Sequence, residues 1–218
     1  MSGQPSESKE QRSRTKDQVS AILLAAGQSR RMGAFKPLLP FGEQTVIEHC
    51  IQNLREASVD EIVVVVGHRA DEVREHVRPA NVRFALNPDP ESEMSASIAR
   101  GVEQIGNNTR ATLIALVDHP AVFSDTIRQI IKEWESGAKL VQPEHNGRGG
   151  HPVLIDLNYR DELRNLDSDK GLRGFFERHR EETRRLAVDS PYVVRDMDTW
   201  EDYLALHQQV FGRPPRRI

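Results

Sequence analysis

Val19-Ser20-Ala21-Ile22-Leu23-Leu24-Ala25-Ala26 is a short apolar run, and Gly27-Gln28-Ser29-Arg30-Arg31-Met32-Gly33-Ala34-Phe35-Lys36 follows it without a break. The first stretch has the length and composition of a buried strand. The second is a polar loop with glycine at its mouth. In open parallel sheets, ligands bind outside the carboxyl ends of strands, near a switch in strand order. Small residues at 25–27 let the backbone of Leu24, Ala25, Ala26 and Gly27 approach a ligand closely, which suits polyphosphate oxygens. Arg31 adds a planar fork and Lys36 a compact ammonium. The spacing is neither G-x-G-x-x-G nor a glycine loop ending in G-K-[ST], which excludes the dinucleotide and Walker fingerprints. On composition alone, a tight turn carrying solvated basic residues accounts for the loop equally well.

Outward from this loop the chain alternates apolar runs with amphipathic stretches. Thr45–Ala57 places Val46, Ile47, Cys50, Ile51 and Leu54 at helical spacing, and Glu61–Val66 is almost wholly β-branched, as in a strand covered on both faces. The pattern predicts further helices over 70–77, 95–105, 124–136, 172–179 and 200–211. It predicts strands over 82–86, 112–117, 139–143 and 152–157, with a short extended piece at 193–195. Arg180–Arg185, Glu133 and Glu135 read as solvated helix faces, and Thr199 with Asp202 as a capping box. Strands separated by helices require right-handed crossovers in a largely parallel sheet. The expected fold is therefore a three-layer α/β/α one. Residues 1–17 are too polar to repay ordering and are expected to form a disordered arm. Residues 18–211 read as a single domain and 212–218 as a flexible tail.

The chain has 218 residues, with 30 basic against 33 acidic and a formal charge of -3. No basic excess exists to drive nucleic-acid binding. The apolar runs are far short of the ~20 residues that cross a bilayer, and the polar start lacks a secretory signal. A single cysteine, Cys50, makes no internal disulfide, and no Cys/His cluster suggests a zinc site. Composition thus points to a soluble, cytoplasmic globular protein.

Other residues carry chemistry. Asp118 directly follows Thr112–Val117, at the carboxyl edge of an expected strand. Magnesium is usually held by one or two carboxylates plus substrate phosphates; a turn aspartate is the structural alternative. Ser95 and Ser97 open a helix, where hydroxyls and free N–H groups meet a ribose, base or phosphate, although capping by Ser95 serves as well. His151 follows Gly147-Arg148-Gly149-Gly150 and could donate to an acceptor group. Arg173 offers fork geometry for a phosphate. Asp196 and Asp198 precede the last helix, where either favours the helix dipole.

Leu24–Lys36, LAAGQSRRMGAFK, resembles the signature L-A-A-G-x-S-x-R-M-G-x-x-K of nucleotidyltransferases that couple a nucleoside triphosphate to a phosphorylated acceptor. Within them it is most similar to the molybdenum cofactor cytidylyltransferases, relatives of the guanylyltransferases for the same pterin. The resemblance runs from about residue 19 to 206. It continues in Asp118-His119-Pro120, like the family's D-Q-P, and in Asp196–Tyr203, like D-I-D-T-P-E-D-Y. Asn87–Ile98 resembles G-M-S-S-S-I, Gly147–Leu154 resembles R-G-H-P-V-L-F, and Leu166–Arg173 resembles G-D-x-G-A-R. The resemblance implies a Rossmann-like nucleotidyltransferase fold and a triphosphate, CTP first, held at the Gly27 loop with Arg31 and Lys36 on its phosphates. It implies Mg2+ on Asp118, completed by Asp198 or Asp196. It implies molybdopterin as the phosphorylated acceptor, near His151 and Arg173, and a molybdenum enzyme as a further partner. A sugar phosphate as acceptor, or a noncatalytic nucleotide- or cofactor-binding module, is the alternative.

Overall fold

The computed structural model describes residues 18–215 apart from Arg30, Asp60, residues 78–81 and Pro90. The expected arm at 1–17 and the last three residues lie outside the described part. Seven main strands build one sheet: β1 (Val19–Ala25), β2 (Glu61–Val66), β3 (Val82–Leu86), β4 (Ala111–Leu116), β5 (Leu140–His145), β6 (Val153–Asp156) and β7 (Thr183–Ala187). Their spatial order is β7-β5-β6-β4-β1-β2-β3, and the two-residue ribbon Arg148–Gly149 pairs with β5. Strand β1 runs parallel to both β2 and β4, β2 to β3, and β5 to β7. Strand β6 is antiparallel to β4 and β5. The sheet is thus mostly parallel, with one reversed strand where the glycine-rich loop doubles back.

The described helices are α1 (Val46–Glu56), α2 (Ala70–His76), α3 (Met94–Gln104), α4 (Ser124–Glu135), α5 (Arg160–Arg164), α6 (Gly171–Arg178) and α7 (Trp200–Phe211). They cover the sheet on both faces, because every second residue of the central strands points the same way. Ala21, Leu23, Ile62 and Val64 pack with α1, α4 and α7, whereas Ile22, Val63 and Val65 pack with α3 and α6. Three layers result, as the alternation predicts. Each such buried aliphatic side chain contributes roughly 1.5–3 kcal/mol. Capping boxes start α1 at Thr45 and Glu48 and α7 at Thr199 and Asp202.

Two local expectations are corrected, and one helix is added. Arg180–Arg185 is not a helix face: 183–187 is the edge strand β7, parallel to β5. Its partner's backbone supplies the ladder, which outweighs the polar, arginine-rich composition. Residues 193–195 do not form an extended piece, since Pro191–Val194 is a turn of 3-10 helix; Pro at its first position fixes the backbone for it. Helix α5 has no counterpart in the apolar pattern, because only Leu163 of it is buried. Of the expected tail, Gly212 ends α7 in the left-handed conformation, and Arg213 pairs with Glu43 at 2.6 Å.

Candidate nucleotide site

Strand order reverses at β1, because β2 and β3 are added on one side and β4 on the other. A crevice of about 240 Å³ opens outside the carboxyl ends of β1 and β4, lined by Leu24, Ala26, Gly27, Ser29 and Lys36 from the first loop. Leu116, Val117 and Asp118 close one side, and Asn87, Asp89, Ser92, Met94 and Ser97 the other. The position is the one that a sheet of this winding offers to a ligand. At Gly27, no described atom lies within 4 Å of where a Cβ would stand. The protein's own packing therefore does not demand glycine there, and the space beside it is open. Gly67 differs: a Cβ there would meet the Ala26 carbonyl at 2.6 Å, so glycine is what lets β2 end against the loop.

The charged groups converge from distant parts of the chain. Lys36 sits on the short 3-10 turn Lys36–Leu38, with only 9% of its side chain exposed. Its Nζ donates to Asp198 Oδ1 at 2.7 Å, and Arg31 Nη1 donates to Asp198 Oδ2 at 2.5 Å. These bonds, Lys36's first, hold the Asp198 carboxyl below the usual carboxylate range. The backbone N–H of Met197 donates to the Asp118 carbonyl at 3.0 Å, which pins the Asp196–Asp198 segment beside the end of β4. Met197 itself is fully buried and anchors that segment.

Asp118 is in the opposite condition. Its Oδ1 is buried with no hydrogen-bond partner among the described residues. Burial, reinforced by Asp196 and Asp198, pushes its pKa up against the pull of His119 and Lys36. A buried carboxylate oxygen with no hydrogen bond, 3.8 Å from His119 Nε2 and in a crevice that Lys36 also lines, fits a divalent cation that arrives with phosphates. Asp118, with Asp198 or Asp196, could hold such an ion. No group of three or more His, Cys, Asp or Glu side chains among the described residues is arranged to hold a metal without further ligands. His119 Nδ1 donates to the Tyr192 carbonyl at 3.4 Å, a bond across 73 positions that ties the end of β4 to the 3-10 turn Pro191–Val194.

The structure brings Leu24, Ala26, Gly27, Lys36 and Asp118 together on one wall, with Arg31 and Asp198 linked to Lys36 at its edge. Ala25 points into the core on the other face. Ser95 is buried and does not line the crevice; Ser97, two residues on, does. The helix period turns Ser97 toward the crevice and Ser95 away. Asn87 is a wall residue that the sequence did not single out. Its Nδ2 donates to Ser92 Oγ and Ser97 Oγ, each at 2.8 Å, tying the loop after β3 to α3. Its place directly after an apolar strand was the available signal. Cys50 is buried against the Val117 carbonyl, and burial pushes its thiol up, away from reactivity.

His151 and Arg173 lie outside this crevice, in a second hollow. The His151 ring stands edge-on to that of His119, centroids 5.9 Å apart. Its Nδ1 lies 3.4 Å from the Ile114 carbonyl, which can only accept, so Nδ1 carries the proton. Burial lowers its pKa to about 4. His151 is therefore neutral and offers an acceptor at Nε2, where the sequence suggested a donor.

The profile of the MobA-like NTP transferase domain matches residues 21–183. The chain belongs to that family. The MobA-like match covers β1 from Ala21 on and its loop, Asp118, and both His151 and Arg173. The domain is 31% identical over 138 residues to the molybdenum cofactor cytidylyltransferase of Escherichia coli (strain K12), covering 63% of this chain and 69% of that one. It is 29% identical over 166 residues to the nicotine blue oxidoreductase of Paenarthrobacter nicotinovorans, covering 72% and 80%. Among solved structures it is similar to Rv0371c from Mycobacterium tuberculosis H37Rv, with TM-score 0.80 and 29% identity over 88% of this chain and 97% of that one. The same mycobacterial protein has been solved in complex with manganese, at TM-score 0.76 and 26% identity over 88% and 98%. The MobA-like domain thus has a nucleotidyltransferase fold. No helix among its described residues is long and apolar enough to cross a membrane.

Proposed function

We propose that this chain transfers a nucleoside monophosphate from a nucleoside triphosphate, CTP first, to the phosphate of molybdopterin, with Mg2+. An acceptor phosphate oxygen forms the new bond to the α-phosphorus. The bond from that phosphorus to the bridging oxygen breaks, and pyrophosphate leaves with the electron pair. The observation that carries this reading is that Lys36 and Asp118, whose Oδ1 has no hydrogen-bond partner among the described residues, line one crevice at the end of β1.

The residues divide the work in a phosphoryl-type transfer, where positioning and charge neutralisation dominate. The backbone at Leu24, Ala25, Ala26 and Gly27 receives phosphate oxygens. Lys36 and Arg31 balance the charge of the triphosphate and of the departing pyrophosphate. Asn87, with Ser92 and Ser97, shapes the opposite wall, against which the nucleoside rests; Ser95 supports that wall from behind. Asp118, with Asp198 or Asp196, would hold the metal, which when bound would neutralise charge on the phosphates. The manganese complex of the mycobacterial relative supports a divalent cation in this fold. With these substrates the protein works in the cytoplasm and hands its product to a molybdenum enzyme.

Pyrophosphate release tests the reading. The full chain is incubated with Mg2+ and each nucleoside triphosphate in turn, with molybdopterin, with a sugar phosphate, or with no acceptor. Release with CTP and molybdopterin alone is expected. Release with the sugar phosphate instead would change the acceptor, and no release in any pairing would make the chain a binding module.

A further inference from the structure

The sheet face that carries α3 also carries a second hollow, about 490 Å³, beneath α6 and beside β5 and β6. Val153, Leu172 and Phe176 give it an apolar floor. Gln142 of β5 stands in its wall with Oε1 buried and unpartnered among the described residues. Such a buried acceptor is costly unless a donor meets it. Gly149 lies flat against this amide: a Cβ there would stand 2.7 Å from Nε2 and 3.0 Å from Oε1. A side chain at 149 would push the Gln142 amide from this position, which gives part of the glycine-rich motif a reason. The neighbouring Gly150 is explained by backbone alone, since a Cβ would meet the Val193 carbonyl at 2.2 Å.

The rim is of the opposite character. Arg173, Arg180 and Arg185 surround the hollow against one lining acid, Glu177. Glu177 pairs with Arg173 at 3.0 Å, and Arg185 reaches Glu144 at 3.4 Å. The interior therefore presents acceptors, Gln142 Oε1 and the neutral His151, while the rim presents guanidinium donors and net positive charge. The His151 ring, in the wall of the hollow, meets the ring of His119, the chain neighbour of Asp118, with centroids 5.9 Å apart.

We propose that this hollow seats the body of the phosphorylated acceptor, with Gln142 as its specificity-determining residue. Gln142 Oε1 and His151 Nε2 accept from N–H or O–H groups of that body, and the three arginines draw in its negative charge. The acceptor phosphate then extends past His151 toward Asp118. This rests on the transferase reading above. A nitrogen-rich heterocycle and a hydroxyl-rich sugar phosphate share the required chemistry.

Equilibrium binding to the full chain tests it, with molybdopterin and glucose 1-phosphate as separate probes and CTP with Mg2+ titrated in parallel. The variants are Gln142→Leu, Gly149→Ala and the surface double variant Arg180→Ala with Arg185→Ala. One probe is expected to bind the native chain, and which one identifies the source of the chemistry. Gln142→Leu and Gly149→Ala should each weaken it tenfold or more, because a site built to bond a donor discriminates sharply once the bond is lost. The arginine variant should weaken it similarly and flatten its salt dependence, and it tests the hollow even if the Gln142 variant does not fold. CTP affinity should stay within about twofold throughout. Failure of both probes to bind, or equal binding by native chain and variants, overturns the proposal. Loss of CTP binding in the native chain would instead sink the transferase reading.

Discussion

Asp198 accepts from Lys36 at 2.7 Å through one carboxylate oxygen while the other takes Arg31. The two cations proposed for the triphosphate are thus already engaged by an acid. A phosphate oxygen approaching Lys36 must displace Asp198 or share the ammonium with it. A cation bound by Asp198 would draw its charge away and release both basic groups.

This exchange makes a prediction for Asp198→Asn. Without added metal, the variant loses the competitor on Lys36 and Arg31, and it should bind pyrophosphate several-fold more tightly than the native chain. With Mg2+ and substrates its turnover should fall by about a hundredfold or more, since charge neutralisation of the leaving group is a large part of such catalysis. Isothermal titration without metal and a pyrophosphate-release assay measure the two effects. Unchanged metal-free binding would mean that Asp198 does not compete for those cations.

Asp118→Asn separates stability from activity. The native carboxylate is buried with one oxygen unpartnered, and burial is the first cause of its raised pKa. A folded-state pKa above the unfolded value means that the native state binds more protons, so this group adds stability as pH falls toward its pKa and withholds it at neutral pH. The neutral amide should therefore raise the melting temperature at pH 7 by about 2–4 °C, the change that ~1 kcal/mol produces in a chain of this size. Turnover should be abolished. A variant that melts lower than the native chain would show that the carboxylate has a partner which the unliganded fold supplies.

How much of this was legible beforehand follows from the range of each interaction. Strand β1, its loop and Asp118 are local statements: an apolar run, then small and basic residues, or an acid directly after a strand. Their places in the fold were legible because burial and turn chemistry act over a few residues. The partnership of Asp198 with Lys36 spans 162 positions and depends on a backbone bond between Met197 and Asp118 that no periodicity announces. The swap of Ser95 for Ser97 came from two residues of helical phase, which turn the side chain to the opposite side of the helix. Strand β7 was hidden because its order comes from its neighbour β5 and not from its own arginine-rich sequence. Gln142 was silent for a related reason: its amide matters only beside Gly149, seven positions on and folded back against it.

The pH dependence of stability should carry a signature of His151. Burial first, then the proximity of His119, lowers its folded pKa to about 4 from 6.5. Between these values the unfolded chain binds a proton that the folded chain refuses, so stability falls as pH drops through the window. The contribution is at most about 1.4 kcal/mol per pH unit. His151→Gln removes it, so the stability difference between native chain and variant should be flat above pH 7 and slope below. Urea midpoints taken across pH 4.5–7.5 measure that slope. Parallel curves would place the titrating proton elsewhere.

Arg31 and Lys36 share one partner but not one environment, and this splits their predicted roles. Arg31 is 78% exposed along its side chain, and an ion pair so placed contributes roughly 0–1 kcal/mol. Arg31→Ala should leave the melting temperature within about 2 °C of the native value, and its cost should appear in turnover and in a weaker salt dependence of triphosphate binding. Lys36 is 9% exposed, donates to Asp198, and pulls the pKa of Asp118 down against burial. Removing its charge leaves two acids facing one crevice without the ammonium between them, and breaking such a pair from one side is costly. Lys36→Met should therefore lower both the melting temperature and turnover. The double variant Lys36→Met with Asp118→Asn should regain part of the stability and none of the activity. Equal melting losses for Arg31→Ala and Lys36→Met would mean that burial does not distinguish the two cations, and the proposed division between a steering arginine and an embedded lysine would fail.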